Sequence, residues 1–263
     1  LSEQLPTLME LRFLGTGTSS GVPQLMCKCE VCTSTDTHDK RSRSSALIQL
    51  NDGRNLLIDC GPDFYTQILH AGCPQLHCAL LTHSHYDHVG GIDDLRPYCA
   101  DHRSFPLYCK SDVARDLRER VPYCFRQHPY PGVPSFDIHE IDSRPFMVDD
   151  IEVIPLPVMH LNLPILGFRI GKFAYITDAK TIPDTTVDLL QGVDTLVINA
   201  LRQKPHISHM SLPESLEIIV RVNPRAAYLT HLSHGFGLQS VMAAKLPPNV
   251  HIAYDSLIID IPD

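Results

Sequence analysis

With 263 residues, 43% of them hydrophobic, the chain is long enough to bury a sizeable core as one large domain or two small ones. A formal charge of −8 disfavours nucleic acid as a partner, because such binding rests on phosphate contacts to a basic face. No apolar run approaches the roughly eighteen residues of a membrane span, and nine cysteines, scattered through apolar segments at Cys60, Cys78, Cys99, Cys109, Cys124 and elsewhere, suit a reducing, cytoplasmic setting better than a disulfide framework.

Residues 1–9 read as a frayed lead-in to a single domain spanning 10–263, since no linker divides the chain. Runs rich in Ile, Leu, Val and Tyr predict strands over 11–14, 45–50, 55–59 and 77–82, with a helix over 63–70. Gly15-Thr16-Gly17 lacks the third glycine and the following helix of a dinucleotide-binding loop, and reads as a turn between early strands. Residues 96–134, rich in proline and aromatic side chains, are the least regular part. A helix is predicted over 111–120, and the remainder is a surface excursion, a lid or a subunit contact that would make the protein a homodimer. Further strands are predicted over 151–155, 173–177, 195–199, 226–230 and 251–261, and helices over 185–191, 211–222 and 238–245. The Ser211-x-x-Glu214 pair, with Pro213 in the first turn, is a capping-box start. Strand pairs open each half and helices separate the later strands, so an α+β fold with sheets covered by outer helices is expected.

Directly after the apolar residues 78–81 comes His83-Ser84-His85-Tyr86-Asp87-His88. A strand end can aim His83 and His85 to one side while the following turn brings Asp87 and His88 to an adjacent point. Three later residues, His160, Asp178 and His231, also stand where predicted strands stop. Neutral imidazole suits zinc, manganese or iron, and carboxylates can bridge two ions, so these seven side chains form a donor set for a pair of divalent cations. Nearer the start, Cys27-x-Cys29-x-x-Cys32 packs three thiols together, one ligand short of a closed structural zinc site, with His234 the candidate for the fourth.

The His-x-His-x-Asp-His string followed by a distant His, an Asp and a final His resembles the metallo-β-lactamase superfamily over about residues 10–260. The start Leu14-Gly15-Thr16-Gly17-Thr18-Ser19-Ser20-Gly21-Val22-Pro23, the three cysteines and Thr230-His231-Leu232-Ser233-His234 look like its PhnP group, phosphodiesterases that open phosphoribosyl 1,2-cyclic phosphate. That resemblance implies a four-layer αββα sandwich of two mixed sheets flanked by helices. It implies that His83, His85 and His160 hold one zinc or manganese ion, that Asp87, His88 and His231 hold the other, and that Asp178 bridges them. Asp87 and Asp178 would then be catalytic residues, with a water or hydroxide between the ions as the nucleophile.

The same resemblance implies a structural zinc held by Cys27, Cys29, Cys32 and His234, and a proton donor at His209, for which His206 is the rival. Asp59 stands where the superfamily keeps a buried acid that orients a ligand histidine; a turn or helix-cap role is the other reading. Arg202 and Lys204 are candidates to grip a terminal phosphate, or are solvated surface charge. The expected function is a dinuclear phosphodiesterase acting on a small cyclic or sugar phosphate, with neither nucleic acid nor membrane as partner. A ribonuclease Z-like nucleic-acid phosphodiesterase and an iron-dependent oxidoreductase on the same fold are the alternatives.

Overall fold

The computed structural model describes residues 8–99, 103–126 and 131–262. The described strands form two seven-stranded sheets. The first contains β1 (Leu8–Gly15), β2 (Ser45–Gln49), β3 (Asn55–Ile58), β4 (Cys78–Leu80), β5 (Phe105–Lys110), β6 (Phe136–Ile141) and the last strand, β14 (Ile258–Pro262), in the order β14-β1-β2-β3-β4-β5-β6. The second contains β7 (Phe146–Val148), β8 (Ile151–His160), β9 (Leu163–Ile170), β10 (Phe173–Ile176), β11 (Thr195–Asn199), β12 (Ala226–Thr230) and β13 (Val250–Ile252), in the order β13-β12-β11-β10-β9-β8-β7. Each sheet is antiparallel on one side and parallel on the other, the change falling at β3 and at β10.

Alternation along the strands builds the layers. In β3, Leu56 and Ile58 join Phe13, Phe168 and Tyr175 in the core between the sheets, while Leu57 faces outward against Phe64, Ile68 and Leu117. Those outer residues come from α1 (Phe64–His70) and α3 (Ser111–Arg120). On the other side α4 (Asp184–Leu189), α5 (Leu212–Val222) and α6 (Gln239–Ala243) cover the second sheet, with Val187, Ile218, Ile219 and Met242 packed on Leu196 and Ile198. Strands covered on both faces read as unbroken apolar runs, which is why most were visible in the sequence. The four-layer αββα sandwich is the observed architecture. The capping box of α5 is present, the Glu214 carboxylate accepting from the Ser211 amide at 2.7 Å.

Several expectations need correction. Leu8 and Met9 belong to β1, and Met9 is buried, so they are no lead-in; residues 1–7 lie outside the described residues. The irregular stretch 96–134 supplies β5, an interior strand paired with β4 and β6, whose alternating burial was hidden by Pro106; residues 127–130 are outside the described residues. Strand β8 does not stop at Pro155 but runs to His160 through Pro155 and Pro157. Its partner β7 ends opposite Val153, so the missing N–H groups face a side where no ladder continues.

Residues 251–261 form two strands in different sheets rather than one, because the chain crosses between the sheets at 253–257. Gly17 is no simple turn either: it makes parallel bridges to Arg43 and Leu232. At Gly15 a Cβ would lie 2.0 Å from the Arg43 carbonyl oxygen, a close approach only glycine permits.

Candidate metal centre

The chemistry gathers at the carboxyl ends of strands from both sheets. Asp59 follows β3 and His83 follows β4; α2 (Tyr86–Val89) turns Asp87 and His88 back beside them. From the second sheet come His160 at the end of β8, Asp178 just past β10 and His231 just past β12. Asp59, Asp178 and His231 take left-handed backbone, with φ of 60°, 58° and 55°. Non-glycine residues adopt that conformation uncommonly, and the three buried ones at this centre are held in it by their surroundings. For Asp178 part of the surroundings is the Asn199 amide, which bonds both backbone groups of Ala179 at 2.8 and 2.9 Å.

Hydrogen bonds fix the imidazoles. His88 donates from Nδ1 to Asp59 at 2.7 Å; His83 donates from Nδ1 to the Thr82 hydroxyl at 3.0 Å, which itself donates to Asp59 at 2.8 Å; His160 donates from Nδ1 to the Ser208 carbonyl at 2.8 Å. Each ring therefore has an N–H at Nδ1 tied to an acceptor and turns Nε2 towards the centre, the orientation a metal ligand needs. Asp59 thus orients His88 directly and His83 through Thr82, while Asp63 rather than Asp59 stands at the start of α1. At Gly61 a Cβ would meet the Asp87 carbonyl oxygen at 2.1 Å, so glycine there lets α2 close against β3.

The lone pairs form two groups, one on each side of Asp178. Its Oδ1 lies 3.2 Å from His88 Nε2 and 3.1 Å from His231 Nε2, and Asp87 Oδ2 lies 3.1 and 3.6 Å from the same two nitrogens. Its Oδ2 faces the other group, 4.0 Å from His83 Nε2, which in turn is 3.0 Å from His85 Nδ1. The His160 ring centroid lies 5.1 Å from that of His85. The seven side chains singled out in the sequence are all brought together; Asp87, His88, Asp178 and His231 have ligand atoms within 4.8 Å of one another, and so do His160, Asp178 and His209, while His83 and His85 lie beside the second set.

Charge tells the same story. Burial opposes a charge on His88, but Asp178, Asp59 and Asp87 around it raise its pKa well above the usual value. Burial likewise raises Asp87 and Asp178, yet the imidazoles outweigh it and hold both carboxyls below the usual range. Among the described residues the ion-pair partners of these three buried carboxylates are histidines alone. His88 Nε2 and His231 Nε2 are buried with no hydrogen-bond partner among the described residues, beside those oxygens. Buried carboxylate oxygens and imidazole nitrogens that converge in this way, with ring nitrogens lacking a hydrogen-bond partner, are what divalent cations satisfy, so the donor set fits them.

His209 is buried at the edge of this cluster, Nδ1 3.7 Å from Asp178 Oδ2 and its ring 4.5 Å from that of His160. Burial and the neighbouring His231 push its pKa down to about 3. His206 is one step further out, 5.4 Å from His209 between ring centroids, with Nδ1 3.2 Å from the Ser208 hydroxyl. Arg202 donates to the carbonyls of Lys204 and Pro205 within its own loop, at 3.1 and 2.7 Å, and Lys204 is exposed.

The four ligand atoms of Cys27, Cys29, Cys32 and His234 lie within 4.8 Å of one another, with His234 Nδ1 3.2 Å from the Cys27 sulfur and 3.4 Å from that of Cys29. The Cys32 amide and His234 pull the Cys29 thiol down to about 6, whereas burial pushes Cys32 up to about 11. A set of three sulfurs and one nitrogen at this spacing fits a tetrahedral zinc ion. All nine cysteines are unpaired. Among the described residues no helix is long and apolar enough to cross a membrane.

Sequence reasoning missed Thr82, Asn199 and the Ser208 carbonyl. Only Asn199, a polar residue closing an apolar strand, carried any signal.

Fold and centre together are those of a β-lactamase superfamily domain, and the family model of that description matches residues 54–232. The chain belongs to that superfamily and, within it, to the PhnP-like group. The crystal structure of a new diphosphatase from the PhnP family superposes with a TM-score of 0.89 at 34% identity, covering 95% of this chain and 97% of that one. Zn(2+)-bound PqqB from Methylobacterium extorquens shares the fold, with a TM-score of 0.80 at 18% identity over 96% of this chain and 100% of that one. A Porphyromonas gingivalis (strain ATCC BAA-308 / W83) protein named octanoyltransferase is 44% identical over 96% of this chain but only 52% of its own length. The chain spans about half the length of the first curated relatives it matches.

Proposed function

We propose that the chain is a dinuclear metal-dependent phosphodiesterase acting on a small cyclic or sugar phosphate diester of the phosphoribosyl 1,2-cyclic phosphate kind, in a reducing cytoplasm. The observation that carries this reading is Asp178, whose two carboxylate oxygens face two separate groups of imidazole nitrogens. Two divalent cations, zinc or manganese, would supply there an activated water and neutralise charge developing on a phosphoryl oxygen.

The protein's own groups do the rest. Asp59, Thr82 and the Ser208 carbonyl hold three rings in one tautomer, and Asp178 sets the spacing of the two donor groups. His209, neutral at pH 7 in this setting, still offers one N–H, which it would hold towards the leaving oxygen. Arg202 and Lys204 lie in the loop that carries His206 and His209, where they would meet a terminal phosphate. Diphosphate cleavage, named for the PhnP-family neighbour, is chemistry of the same kind. Acyl transfer, named for the P. gingivalis relative, belongs to a protein of which this chain spans 52%, and is not carried over.

The reading is tested by assaying the metal-loaded chain on phosphoribosyl 1,2-cyclic phosphate, a nucleoside diphosphate, bis(p-nitrophenyl) phosphate and pre-tRNA side by side. The cyclic sugar phosphate should be cleaved with a kcat/KM of about 10⁴ M⁻¹s⁻¹ or more. Cleavage of pre-tRNA alone, or oxygen uptake with a thiol in place of hydrolysis, overturns it. In the same assay His209→Gln should lower kcat by about 10²- to 10³-fold, the cost of one lost hydrogen-bond donor, with metal content unchanged. An unaltered kcat would remove His209 from the leaving oxygen, His206 being the neighbour to try.

A further inference from the structure

His231 is held differently from its fellow histidines. His83, His88 and His160 each have the second ring nitrogen tied to an acceptor, whereas neither nitrogen of the fully buried His231 has a hydrogen-bond partner among the described residues. Its ring must be aimed by its main chain, which is in the left-handed conformation. The next residue shows how. Leu232 donates its N–H to the Thr16 carbonyl at 2.9 Å and accepts at its own carbonyl from the Thr18 N–H at 3.1 Å.

Residues 16–18 are themselves clamped by a buried polar network that lies away from the centre. Asp255 accepts from the Thr16 amide and hydroxyl at 2.9 and 2.8 Å through Oδ1, and from the Ser42 amide and hydroxyl at 2.7 Å each through Oδ2. Arg41, only 6% exposed, donates to the same Thr16 hydroxyl at 2.8 Å, to the Ala253 carbonyl at 2.5 Å and to Gln239 at 2.6 Å. Burial pushes the Arg41 guanidinium down to about 10 and raises Asp255 as well. The two opposite charges are joined through the Thr16 hydroxyl, which accepts from Arg41 and donates to Asp255, and a buried polar network of this kind favours one arrangement more than it adds stability.

We propose that Asp255 and Arg41 are positioning residues for His231. By fixing the register of Thr16 to Thr18 against Leu232, they set the direction of an imidazole whose two nitrogens have no hydrogen-bond partner among the described residues. On the far side the same segment is anchored independently, through His234 at the cysteine cluster. The inference rests on His231 being a metal ligand, and it gives the buried network a task that the cysteine site does not share.

The test measures zinc affinities of the full chain by competition with a chromophoric chelator, with elemental analysis after dialysis, for the parent, Asp255→Asn, Arg41→Lys, Arg41→Met and His231→Ala. A core truncation, Leu56→Ala, serves as a control for general loosening. Asp255→Asn and Arg41→Met should weaken one ion by about tenfold or more, the range seen when outer partners of metal ligands are removed, while the second active-site ion and the cysteine-bound zinc stay. Arg41→Lys, keeping the charge but not the fork, should fall between. The proposal is overturned if Asp255→Asn leaves all affinities unchanged, or lowers them no more selectively than Leu56→Ala does. If His231→Ala retains both active-site ions, the ligand reading itself fails. If that variant loses an ion and Asp255→Asn does not, the clamp alone is refuted.

Discussion

Replacing Asp178 by asparagine is expected to lower kcat/KM by about 10³-fold or more, roughly 4 kcal/mol of transition-state stabilisation. Asparagine is the informative choice because it tolerates the left-handed backbone at this position nearly as well as aspartate, so the change removes charge without adding strain. What it cannot do is face both donor groups with oxygen. Its NH₂ must point either at His88 and His231 or at His83 and His209, where nitrogen lone pairs and a cation would need a negative atom. The fold should survive, since Ala179 stays pinned by Asn199 and Thr177 keeps its place beneath. Steady-state kinetics with elemental analysis on the same preparation checks this. Near-normal turnover in a variant still carrying two ions would contradict the bridging role.

Cys29→Ser should act on stability first and on turnover second. A bound ion stabilises the folded state by mass action, about 2.7 kcal/mol when present at 100 times its dissociation constant, and loss of one of three thiolates forfeits most of that. For a chain of this length the Tm should fall by about 5–10 °C, and zinc content by one per chain. Activity should then drop indirectly, because His234 no longer ties down the segment that begins with His231. Differential scanning calorimetry and zinc stoichiometry read both effects. An unchanged zinc content in the variant removes the cysteine cluster from consideration as a metal site.

The parts of this molecule that could be read from residues alone are those in which neighbours in sequence are also neighbours in chemistry. His83 to His88 and Cys27 to Cys32 each bring several donors together within one turn, so their pattern is local. His160, Asp178 and His231 gained meaning only from their order behind the first string and from each standing at the end of an apolar run. Hydrogen bonds that hold the rings were out of reach, because the Ser208 carbonyl is carried by no particular residue type and Thr82 looks like any strand-ending threonine.

Proline obscured the two-residue alternation at Pro106, where β5 was lost, and at Pro155 and Pro157, where β8 was cut short; β6, β7 and β9 also went unpredicted. Register also escaped notice: nothing in residues 251–261 announces that β13 and β14 close different sheets, since the crossing depends on Asp255 meeting Thr16 and Ser42 from distant parts of the chain.

The donors come from strand ends of both sheets, and this governs when the centre can exist during folding. A growing chain that has completed only the first half carries Asp59, His83, His85, Asp87 and His88, but not Asp178 or His231. Such a fragment offers an incomplete shell to any ion it meets, so tight capture has to await docking of the later strands. Loading would thereby be a late event, and a cation seated there would fasten the two halves together at their shared rim.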